Sequence, residues 1–171
     1  TGFTPLGHPR MVKAGLNTFA LLPSNAPMGE NQVFALTVGP TCFSDLGMPC
    51  GPIRPLEGPV PTSLFAAAAN ADHLFVADVQ EVAGASRVLL YVYSMVDILT
   101  PGMGPVAPRF EPRMLFTGPD EFEGDIGAIE MKLHESPSPD LVELSVMISA
   151  RRTTELPSSN DAYLHVLQFC F

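Results

Sequence analysis

The run Arg87-Val88-Leu89-Leu90-Tyr91-Val92-Tyr93-Ser94-Met95-Val96-Asp97-Ile98-Leu99 is apolar on both faces when read as a strand, with breaks only at Ser94 and Asp97. Successive strand side chains point to opposite sides of a sheet, so such a run needs apolar cover above and below. That is the signature of a central strand. AYLHVLQFCF, at 162–171, has the same character and is expected mid-sheet too. The longest uninterrupted apolar runs, Val88 to Tyr93 among them, fall far short of the roughly 20 residues a membrane helix needs.

Outward from this run, seven further segments read as strands. They are short, rich in Val, Ile, Leu, Phe and Tyr, and bounded by Gly, Pro, Asn or Asp. With the run itself, placed at 87–98, they lie at 17–22, 31–38, 73–82, 112–117, 126–134, 140–150 and 162–170. Alternation is clearest in IEMKLHE: Ile129, Met131 and Leu133 face a core, while Glu130, Lys132 and His134 face water. LVELSVMISA repeats it, with Val142, Leu144, Val146 and Ile148 inward. Glu135 to Pro139 joins the two as a hairpin connection. One short helix is expected in PTSLFAAAANAD, with Thr62 or Ser63 as N-cap, four alanines and Asn70 at its exit. The expectation is mainly β: an antiparallel β-sandwich or jelly-roll-like barrel of about eight strands with one short helix.

A chain of 171 residues fits one domain, here 17–171, preceded by an extended lead-in or hinge over 1–16. It begins at Thr1 without a methionine, which suggests a processed product or an excised piece. Hydrophobic residues make up 46% and charged residues 16%, too apolar for disorder, while 18 prolines and 14 glycines demand many turns. Net charge is −9, and Arg151-Arg152 is the sole adjacent basic pair, so no phosphate-tracking surface is expected and nucleic acid is not a predicted partner. The connections 39–61 and 99–111 are long and proline-rich, which predicts ordered recognition loops. Met48, Ile53, Leu56, Val60, Met103, Val106 and Phe110 are apolar residues within them and the candidate contact residues.

Chemistry-bearing patterns are sparse. Cys42 and Cys50 have seven residues between them, unlike a zinc knuckle, and no second ligand pair follows. They read as a local disulfide or as two reduced thiols. A bridge closing so short a loop would contribute roughly 2–3 kcal/mol. Cys170 reads as a buried core thiol. Asp120-Glu121-Phe122-Glu123-Gly124-Asp125 lacks calcium-loop spacing and reads as a solvated acidic turn. Pro101 to Pro105 reads as a turn rather than a phosphate cradle. Among the histidines, His134 is expected on a polar face, His165 beside Tyr163, Leu167 and Phe169 in a partly buried position, and His8 in an extended segment. Asp72 and His73 are adjacent, so as strand residues they point apart. No metal, cofactor or catalytic residue is predicted.

This texture resembles the protruding or spike domains of icosahedral virus capsid proteins: β-rich, poor in lysine (Lys13 and Lys132 only), with long proline-rich loops and a hinge-like TGFTPLGHPR. The resemblance covers the whole chain as texture and carries over no functional residue. It implies a non-enzymatic role at the virion surface, with self-association as a dimer or trimer and contact with a host surface protein or glycan. Two other readings stand beside it. One is a cellular β-sandwich adaptor or adhesion module that docks a peptide along a strand edge. The other is a small hydrolase using His73, His134 or Asp72.

Overall fold

In the computed structural model, residues 4–5, 9–15, 17–25, 31–38, 53–59, 64–82, 85–102, 104–117, 126–134, 141–152 and 159–171 are described. They form twelve strands and one short helix. The strands are β1 Thr4–Pro5, β2 Arg10–Ala14, β3 Asn17–Asn25, β4 Asn31–Val38, β5 Ile53–Leu56 and β6 Phe65–Ala69. β7 His73–Val82 and β8 Ala85–Ser94 lead into the helix α1 Met95–Leu99. β9 Arg113–Thr117, β10 Ile126–His134, β11 Leu141–Arg152 and β12 Ser159–Cys170 complete the chain. Among the described residues no helix is long and apolar enough to cross a membrane.

All strand pairings within the sheets are antiparallel, as expected of a mainly β chain. The strands make three sheets: β1-β3-β4-β5 with β2 also on β3, β6-β7-β8-β9, and β10-β11-β12. The second sheet lies between the other two. One of its faces (Phe65, Leu74, Val76, Tyr91, Tyr93) shares a core with Phe19, Leu21, Val33 and Leu56 of the first. The other (Phe75, Ala77, Val88, Leu90, Val92) shares a second core with Ile129, Leu144, Val146 and Ile148 of the third. The doubly apolar reading of Val88 to Tyr93 therefore holds, and its physical cause is a three-layer stack.

Four strands beyond the expected eight account for the difference in number. β1 and β2 fall in the lead-in, where both hydrogen-bond to β3 and Val12 and Ala14 are buried. β5 falls within the first long connection. β6 occupies Phe65–Ala69, within the helix expected between Thr62 or Ser63 and Asn70. The alanines of β6 have high helix propensity, yet here β6 pairs with β7 and lies close to both β2 of the first sheet and β10 of the third, where small side chains leave room. Asn70 closes the hairpin that follows: its Oδ1 accepts the backbone N–H groups of Asp72 (3.0 Å) and His73 (2.7 Å). The observed helix lies instead at the end of the opening run, where Met95 and Ile98 are buried one turn apart. Thr100 caps it, giving its backbone N–H (2.9 Å) and Oγ1 (2.7 Å) to Val96 O.

β12 corrects a second expectation. Among the described residues it pairs with β11 alone and is the edge of its sheet, not a central strand. Its register with β11 is uninterrupted from Arg152↔Ser159 to Leu141↔Cys170.

Candidate functional site

The outward face of the third sheet follows from alternation along its strands. β11 buries Val142, Leu144, Val146 and Ile148, as its sequence predicts, and turns Glu143, Ser145 and Met147 outward. Register then fixes their neighbours. Met147 lies between Glu130 and Leu164, Ser145 between Lys132 and Val166, and Glu143 between His134 and Gln168. Charge thus gathers on β10 and apolar surface on β12. Leu164 is 67% exposed, Val166 56% and Met147 45%, a grouped patch of large apolar side chains.

Sequence reading missed this patch because outward and inward residues of β12 are both apolar, so no alternation marks the strand as one-sided. On the inward face Leu167 is buried and Tyr163, His165 and Phe169 are half-buried. Cys170, expected in the core, is exposed: it pairs with Leu141 on the outward side. His134 lies on the polar face as expected but is half-buried and not fully solvated, because its Nε2 lies 2.7 Å from Ser145 Oγ.

The two long connections meet each other. Leu56 and Val106 form a parallel bridge, with Val106 N–H donating to Pro55 O (2.8 Å) and Glu57 N–H to Val106 O (2.9 Å). Arg54 Nη1 donates to Thr100 O. Two tyrosines of β8 anchor the first connection from below: Tyr93 donates to Glu57 O at 2.7 Å and Tyr91 to Gly58 O at 3.3 Å. Burial first, then the neighbouring Tyr91 phenol and the negative charge of Asp78 and Glu57, raises the Tyr93 pKa far above its ordinary value and keeps the phenol a donor. Of the seven contact candidates, Leu56 (1% exposed) and Val106 (3%) are core bolts and not contact residues, because the bridge turns them inward. Ile53 and Phe110 are exposed. Met48, Val60, Met103, Cys42, Cys50, His8 and the acidic run 120–125 lie outside the described residues.

A cavity of about 300 Å³ opens between β7, the connection after α1 and the end of β12, lined by Asn70, Asp72, His73, Ser94, Val96, Arg109, Val142 and Phe171. His73 is buried and stacks on Phe171 with centroids 3.7 Å apart and planes at 17°. Arg109 fixes it from the other side: its backbone N–H donates to Val92 O (2.7 Å) and its Nη1 to His73 Nε2 (2.8 Å). The guanidinium also lies 5.4 Å from the Phe171 ring centroid and 5.5 Å from that of Phe110. A guanidinium has only donors, so Nε2 presents its lone pair and the imidazole proton sits on Nδ1, a buried atom without a hydrogen-bond partner among the described residues. Burial first, then the Arg109 charge, lowers the His73 pKa, with Asp72 opposing.

Chemically this leaves His73 without a free basic nitrogen. Among the described residues no hydrogen bond joins the Asp72 carboxylate to its ring, and His134 belongs to another sheet. No three His, Cys, Asp or Glu side chains of the described residues converge as metal ligands. No family of known proteins, no curated protein and no solved structure matches the chain.

Proposed function

We propose that the domain is a non-enzymatic structural and recognition unit that associates with copies of itself, as a surface protrusion of a virus capsid would. The observation that carries this reading is the apolar patch Leu164, Val166 and Met147, uncovered on the outward face of the third sheet. Covering such a patch returns about 25 cal/mol for each Å² of apolar surface removed from water. Closed symmetry then makes a dimer or trimer the natural product, and a symmetric shell would bring copies together at high local concentration. Host contact, with a surface protein or a glycan, falls in this reading to the exposed ends of the two long connections, where Ile53 and Phe110 remain at the surface.

The occupied Nε2 and the buried Nδ1 of His73 weigh against the hydrolase reading. The open edge of β12 also suits the adaptor reading, in which a foreign peptide adds as a strand. Sedimentation velocity over a wide concentration range separates the two. Concentration-dependent dimers or trimers, lost in Leu164→Asp/Val166→Asp, support the protrusion reading. A chain that stays monomeric throughout contradicts it and favours the adaptor.

A further inference from the structure

We infer that the free edge of β12 is the seam between two copies of this chain, which pair antiparallel about a two-fold axis and join two three-stranded sheets into one of six. The inference rests on the self-association proposed above and specifies the partner and the geometry. An open edge is a row of unpaired N–H and C=O groups, and folded proteins guard such rows with short strands, charge, proline, bulges or cover.

Every other sheet edge among the described residues is guarded. β1 is two residues long and contains Pro5, and β2 carries Arg10 and Lys13. β5 is four residues long and carries Arg54 and Pro55. β6 is flanked by β2 and β10. β9 is five residues long, carries Arg113 and shifts register against β8. β10 carries Glu130 and Lys132 and shifts register between Ile126 and Ala128.

β12 carries a single charge, Asp161 near its start, and past it shows none of these devices among the described residues. It is twelve residues long and regular, and from 162 to 171 the sequence contains no Asp, Glu, Lys, Arg or Pro. In a chain of net charge −9, this uncharged strip is where two copies approach without like-charge repulsion. An edge is also self-complementary: turned by half a revolution, the same donors and acceptors face each other, which is what a two-fold interface requires. Pairing would bring Leu164 and Val166 beside their counterparts, so that these side chains cover part of one another's apolar surface across the seam.

Cysteine cross-linking reads the geometry directly. The parent is Cys170→Ser, and its own cross-linked fraction sets the baseline. Into it are introduced Leu164→Cys, Val166→Cys, Gln168→Cys, their adjacent pairs and Met147→Cys, all at exposed positions where folding is retained and checked by circular dichroism. Across the seam Met147 and its copy stand three strand spacings apart, roughly 14 Å. That exceeds the reach of a disulfide, whose Cα atoms lie about 4.4–6.8 Å apart. The expected result under mild oxidation is a shift from monomer to covalent dimer at one β12 position or one adjacent β12 pair, and none at Met147→Cys. Efficient cross-linking at Met147→Cys would mean face-to-face packing and overturn the seam while leaving self-association intact. Dimers by sedimentation without cross-linking at any β12 position overturn it as well, and a monomer by both methods removes the seam and the self-association together.

Discussion

Met147 and Leu164 stand directly opposite one another on β11 and β12, and both side chains open to solvent. One residue along, Ile148 faces Tyr163 on the other side of the sheet, and Ile148 is fully buried. A single-residue step thus separates core from contact surface. Leu164→Asp is expected to change folding stability by no more than about 0.5 kcal/mol, whereas Leu144→Ala on the buried face should cost about 2–5 kcal/mol. Urea denaturation of the two variants checks this. Equal losses would mean that the outward residues of β12 are packed in the isolated domain.

The bridge between the long connections depends on the tyrosine anchors beneath it. Gly58 has φ of +109°, and a Cβ added there would overlap the Tyr91 ring. Gly58→Ala therefore forces both strain and displacement and is expected to cost about 1–3 kcal/mol. Tyr93→Phe, which leaves Glu57 O without its 2.7 Å donor, should cost roughly 1 kcal/mol. Thermal unfolding of both variants tests the order, and a Gly58→Ala variant as stable as the parent would contradict the described approach.

His73 makes stability depend on pH, with a definite sign. Its native pKa lies below the ordinary imidazole value. Above about pH 6.5 neither state holds the proton and the contribution is constant. As pH falls from there toward the native pKa, the unfolded chain binds a proton that the native imidazole refuses, and stability drops by up to about 1.4 kcal/mol per unit. Denaturation at pH 7.5 and 5.5 should show a larger loss for the parent than for His73→Phe. An equal loss in both would place the titration elsewhere.

Much of the fold was legible because burial imposes a period. β10 and β11 could be read residue by residue, since their polar side faces water and their apolar side the core. β8 could be read as central because its apolar run leaves no polar face. The same logic misplaced β12: an exposed apolar face and a buried one look alike in sequence, and only the identity of the pairing strand tells them apart. β6 was hidden for a different reason. Four alanines satisfy a helix in isolation, and only the approach of two neighbouring sheets favours a small, flat strand. The site was less legible still, because Leu56 and Val106 become core through a bridge between segments fifty positions apart. The cavity around His73 likewise joins β7, the connection after α1 and the chain's last residues, a convergence no local pattern announces.

The claim that copies join through the edge of β12 is tested most directly by amide hydrogen exchange measured at low and high protein concentration. An unpaired edge exposes alternate N–H groups to solvent, and pairing protects them. The account predicts that at high concentration protection rises in β12 at alternate amides between Tyr163 and Cys170, with β10 unchanged. Unchanged exchange in β12 under conditions where sedimentation detects dimers, or new protection confined to other strands, would contradict it.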